Sequence, residues 1–131
     1  MNVRALMMLA PLIVAALSAP ASAHHSFDAF YFEDQSVSIE GVVTEFHYVN
    51  PHTWVYISAA DATGIQRIVG AEWSNPARLA QAQIKKDTIK PGDRVIITGS
   101  PARDTQEAKI HLKRIVRLSD GWTWAGRTSA R

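Results

Sequence analysis

Ser74-Asn75-Pro76-Ala77-Arg78-Leu79-Ala80-Gln81-Ala82-Gln83 is the stretch that decides the fold. Ser74 or Asn75 can accept a backbone hydrogen bond as N-cap, and Pro76 suits the first helical position, where its missing N–H costs nothing. Ala77 to Gln83 are good helix formers, so one short helix is expected here. On either side, turn signals cut the chain into short segments of strand character. Val37 to Tyr48 is β-branched and aromatic, with Val37 and Ile39 on one face and a bulge or sharp bend expected at Gly41. Asn50-Pro51 turns the chain, and Thr53 to Ser58 alternates Trp54 and Tyr56 against Val55 and Ile57. The turn Asp61-Ala62-Thr63-Gly64 then leads into a third strand, Ile65 to Trp73.

After the helix, Lys90-Pro91-Gly92-Asp93 is turn chemistry ahead of a fourth strand, Arg94 to Gly99. Lys109 to Leu118 forms a fifth, with Ile110, Leu112, Val116 and Leu118 expected on one face and His111, Lys113 and Arg117 on the other. Trp122-Thr123-Trp124 either packs across the barrel end or adds a short strand. Three strands, a helix and two strands is the chain order of a small five-stranded OB-like β-barrel, an all-β fold with one short helix plugging an end. A barrel without the helix and a sandwich of more strands are the competing architectures.

The chain has 131 residues and no cysteine, which bounds it to one small domain and excludes disulfide scaffolds, thiolate metal sites and cysteine nucleophiles. Arg4, an apolar run from Ala5 to Leu17 and the small residues up to Ala23 read as a secretory signal, too short to span a bilayer. The expected organisation is residues 1–23 as signal peptide, 24–121 as barrel and 122–131 as tail, with a periplasmic or secreted product and no membrane span after cleavage. Cleavage removes Arg4 and lowers the formal charge of +2 by one. That near-neutral charge, together with export, leads to the expectation of no nucleic-acid partner. A small ligand or an envelope protein is expected instead, and no motif specifies an oligomer.

His24-His25-Ser26-Phe27, Ile39-Glu40-Gly41-Val42-Val43, Asn50-Pro51-His52-x-Trp54, Asn75-Pro76-Ala77-Arg78-Leu79 and Lys90-Pro91-Gly92-Asp93-x-Val95 together resemble a family of small exported bacterial proteins, the domain of unknown function 6152. The resemblance runs from His24 to about Gly121, and Asp120 to Trp124 is more aromatic than the family pattern. It implies export and a small barrel, and it implies no reaction.

Cleavage after Ala23 would give His24 a free amine that chelates together with its imidazole. A third nitrogen from His25 or His52 would suit copper(II), which favours planar nitrogen donors. His47 is a further candidate ligand, and Glu72 a possible oxygen donor. The other reading of the same residues is a mobile arm and a turn histidine bonded to backbone. A second constellation is aromatic: Trp54, Tyr56, Trp73, Phe46 and Tyr48 fall on adjoining strands, where OB barrels stack extended ligands. About half of these rings are needed for the core of so small a domain. Trp54 and Tyr56 are the ligand-binding candidates. No catalytic constellation is visible, because Ser26 and Ser58 lack a nucleophile-elbow context and the carboxylates read as solvated charge. A non-enzymatic binding protein is therefore expected.

Overall fold

The computed structural model describes residues 27–127. The strands are β1 (Val37–His47), β2 (Trp54–Ala60), β3 (Gln66–Glu72), β4 (Arg94–Pro101), β5 (Lys109–Arg117) and β6 (Thr123–Ala125), with helix α1 (Pro76–Gln81) between β3 and β4. The sheet order is β3-β2-β1-β4-β5-β6, and a parallel pairing of β3 with β5 closes the first five strands on themselves. Every other pairing is antiparallel. This is the five-stranded OB barrel expected from the chain order. The predicted signal segment, His24 and His25 lie outside the described residues. Among the described residues no helix is long and apolar enough to cross a membrane.

The barrel interior follows strand alternation. Val55, Ile57 and Ala59 of β2 point inward with Val43, Ala71, Val95, Ile97, Ile110, Leu112 and Ile115. Asn75 is the cap of α1, its side-chain oxygen accepting from the N–H of Arg78 at 2.9 Å, and Pro76 opens the helix. Leu79 is the buried residue of the helix, and it joins Ile84 and Ile89 in the same cluster. Burying these apolar groups is what offsets the entropy of ordering so short a chain.

Two bulges change which residues face in. The β1–β2 register shifts between Val43 and Glu45, so the bulge falls two to three residues beyond the Gly41 predicted. Gly41 instead marks a close approach, since a Cβ there would sit 2.6 Å from the Ser58 carbonyl oxygen. On β5, Arg114 pairs with Thr98 and Leu112 with Gly99, leaving Lys113 as the extra residue. A bulge moves every later side chain to the opposite face. Ile115 therefore lies inside, while Leu118, expected on the Ile110 face, is exposed. Of the two outcomes foreseen for Trp122 to Trp124, the short strand is the one formed: β6 pairs with β5, and Trp124 meets buried Trp73 edge-on at 4.9 Å. β6 lies past Gly121, outside the closed barrel and within the segment expected as the tail.

Candidate functional site

The outer face of the β1–β2–β3–β5 wall can be read from the pairing. His47 of β1 lies opposite Trp54 of β2, Trp54 opposite Glu72 of β3, and Glu72 beside His111 of β5. The neighbouring row is Glu45, Tyr56, Gly70 and Lys109. Residues opposite one another on adjacent strands project to the same face, so these eight positions form one surface.

At the β1 end of that surface, His47 Nε2 lies 2.6 Å from Glu45 Oε2, and its ring meets Tyr56 edge-on at 5.0 Å. Trp54 and Tyr56 stack nearly parallel, at 14° with centroids 5.9 Å apart. Their rings lie over Gly70, where an added Cβ would come within 3.2 Å of both. The glycine gives the platform a flat floor, and the two rings stay half-buried on the outside of the barrel. The core rings are others: Trp73 is 1% exposed, with Phe46 and Tyr48 packed against the cluster.

At the β3–β5 end, the segment leading into β1 folds onto the barrel. Phe30 and Tyr31 N–H groups donate to the Phe27 carbonyl at 3.0 and 2.8 Å, Phe32 N–H donates to Pro101 O at 2.9 Å, and Arg103 N–H donates to Phe30 O at 2.9 Å. Tyr31 is fully buried. Its hydroxyl donates to Glu72 Oε2, while Glu72 Oε1 is 2.6 Å from His52 Nδ1. Burial first, and then the hydrogen bond to Glu72, hold the Tyr31 phenol far above its ordinary pKa, so it remains a donor. Glu33 accepts in the same way from His111 Nδ1 at 2.7 Å and from the Lys113 ammonium.

Phe27 ties the two pairs together. Its ring stacks on His111 at 3.7 Å and 4°, and on His52 at 5.0 Å and 25°. Burial pulls the His111 imidazole below its usual pKa, against the opposing pull of Glu33. Burial alone would raise the Glu33 carboxyl, yet hydrogen bonds from Lys113 and His111 bring it below the normal range. An ionised carboxylate can only accept, so in each neutral imidazole Nδ1 carries the proton and Nε2 keeps its lone pair.

Of the histidines singled out in the sequence, His52 enters this cluster and His47 does not. His47 is two strands from Glu72, roughly 10 Å across the sheet. Glu72, read as a possible oxygen ligand, is the residue that orients His52. Phe27, Tyr31, Glu33, His111 and Lys113 were not recognisable as partners in the sequence, because their contacts join residues 41 and 78 positions apart. Among the described residues no three His, Asp or Glu side chains are grouped so that they could hold a metal ion.

The family model described as "Family of unknown function (DUF6152)" matches residues 11–111. The chain belongs to this family. The match takes in Phe27, Tyr31, His52, Glu72 and His111 and stops before β6. No curated protein is similar to the DUF6152 chain. Among solved structures, the mitochondrial single-stranded DNA binding protein Rim1 from S. cerevisiae is similar, with 17% identity and a TM-score of 0.48 over 64% of this chain and 94% of that one. Its selenomethionine-labelled form gives 15%, 0.47, 64% and 93%. This finding corrects the expectation of no nucleic-acid partner. Both of these chains are named as single-stranded DNA binding proteins.

Proposed function

We propose that this DUF6152 protein is a small exported binding module that holds one copper(II) ion where its N-terminal arm meets the barrel. The observation that carries the reading is His52: Glu72 occupies its Nδ1, which leaves Nε2 as a donor, and its ring stacks on Phe27. His24 and His25 precede Phe27 by three and two residues, a reach of at most about 11 Å. After cleavage at Ala23, the amine and imidazole of His24 with His52 Nε2 would supply the nitrogen set that copper(II) favours. His47 is the weaker candidate, since its Nε2 is already turned to Glu45. The role is binding and not catalysis.

Native mass spectrometry of protein exported with its own signal, before and after stoichiometric copper(II), tests this. A species beginning at His24 that retains one copper ion against a weak chelator is expected, and one added residue before His24 should abolish retention. A cleaved species that stays metal-free rejects the reading.

The outward stack of Trp54 and Tyr56 over Gly70 favours a second reading, a ligand or partner site without metal. Such a platform fits ligands that offer flat faces, whether sugars, aromatic peptide side chains or the bases of a single strand. Trp54→Ala should then remove binding of a ring-bearing ligand and leave copper retention unchanged.

A further inference from the structure

The geometry points to Glu72 and Tyr31 as positioning residues for a metal bound through His52, an inference that rests on the copper reading above. A histidine that ligates through Nε2 needs its proton on Nδ1, and the common way to fix that tautomer is a carboxylate that accepts the Nδ1–H. Glu72 meets this requirement at 2.6 Å. The carboxylate is itself held: the hydroxyl of Tyr31 donates to its second oxygen, so its two oxygens serve two different donors. Tyr31 is immobilised by complete burial and by the pairing of its backbone with Ala102. The Tyr31–Glu72–His52 chain therefore runs from a rigid anchor to a partly exposed imidazole whose Nδ1 is held by the carboxylate and whose Nε2 is turned away from it.

The chain has more order than a turn histidine needs. To hold the Asn50 to Thr53 turn, one bond from His52 to any acceptor would be enough. Here the acceptor is a largely buried carboxylate, side chain 15% exposed, whose other oxygen is also satisfied. A buried carboxylate raises the basicity of the imidazole it holds, which strengthens a metal–nitrogen bond. His47 is the internal contrast. It also pairs with a glutamate, but with both side chains about half exposed or more and through Nε2, the opposite nitrogen.

The test uses the mature protein, wild type beside Glu72→Gln, Tyr31→Phe, His52→Ala and His47→Ala, each checked for an unchanged fold by circular dichroism. Copper(II) affinity is measured by competition with a chelator, and coordination by electron paramagnetic resonance. The His52 tautomer in the metal-free protein is read by long-range proton–nitrogen NMR. Expected results are an Nδ1–H tautomer of His52 in the wild type that is lost in Glu72→Gln, one coordinated nitrogen fewer in His52→Ala, and affinity roughly 10–100-fold weaker in Glu72→Gln. Tyr31→Phe should weaken affinity in the same direction by less, and His47→Ala should leave it unchanged. If the wild type binds copper and Glu72→Gln binds it equally well, the positioning role is overturned while the copper reading survives. If the wild type binds no copper, both fall, and the NMR tautomer then reports only a structural pair.

Discussion

A Cβ built on Gly99 would sit 2.2 Å from the carbonyl oxygen of His111, backbone against backbone. No rotamer change relieves such a contact, because neither atom belongs to a flexible side chain. Gly99→Ala should therefore destabilise the protein by about 1–3 kcal/mol, or more if the β4–β5 register slips. Urea unfolding followed by Trp fluorescence measures this, and a midpoint equal to wild type would show that β5 can move aside. The sequence marks Gly99 only as the end of a strand. Its necessity comes from a partner strand twelve residues away in number, at the point where Lys113 is squeezed out of the ladder. The same reasoning explains the site. His52 and Glu72 could be picked out as candidate ligands from residue type and turn position, whereas Tyr31 and Glu33 read as an aromatic and a charge on an arm until the fold delivers them to β3 and β5.

At the scale of elements, the helix and the aromatic wall were the most legible, since both are written in local periodicity. α1 is only six residues long and relies on its cap, so Asn75→Ala should cost about 1 kcal/mol, seen as a lower denaturation midpoint with unchanged ligand behaviour. The alternation in β2 placed Trp54 and Tyr56 opposite Val55 and Ile57, and the structure puts the first pair outside and the second inside. Trp54→Ala should then cost about 1–2 kcal/mol, lost mainly from the cover over Gly70, against roughly 3–5 kcal/mol for a core aromatic. Trp73→Ala is the comparison within the same protein: Trp73 is 1% exposed, and its loss should reach the upper range or prevent folding. Equal costs for the two tryptophans would place Trp54 in the core and remove the platform. The faces of β5 are less legible, because strict alternation runs straight through Lys113, where the ladder has its extra residue. A bulge has no composition signature there, and the count is off by one beyond it.

For the whole molecule, the element order was enough to choose the barrel, but its closure and the arm that crosses it depend on contacts between the two ends of the chain. Those long-range contacts are also where acid should act. Neutral His111 is favoured in the folded state, since burial lowers its pKa from 6.5 despite Glu33. The unfolded chain therefore binds more protons there, and stability is full above pH 6.5 and declines as pH falls through the depressed folded value. Glu33 adds a second loss in the same direction at lower pH, because its folded pKa lies below 4.5. The charged and titratable groups around the pair are Lys113, Glu72, Tyr31 and His52, with the Phe27 ring stacked against His111. Unfolding midpoints measured from pH 8 to about pH 2 should thus fall in two stages, the upper one below 6.5 and the lower one below 4.5. In His111→Asn the upper stage should shrink while the lower, carboxylate stage persists in weakened form, since Lys113 still faces Glu33. An upper stage of undiminished size in that variant would show that the Glu33–His111 pair does not govern how firmly the arm holds the barrel.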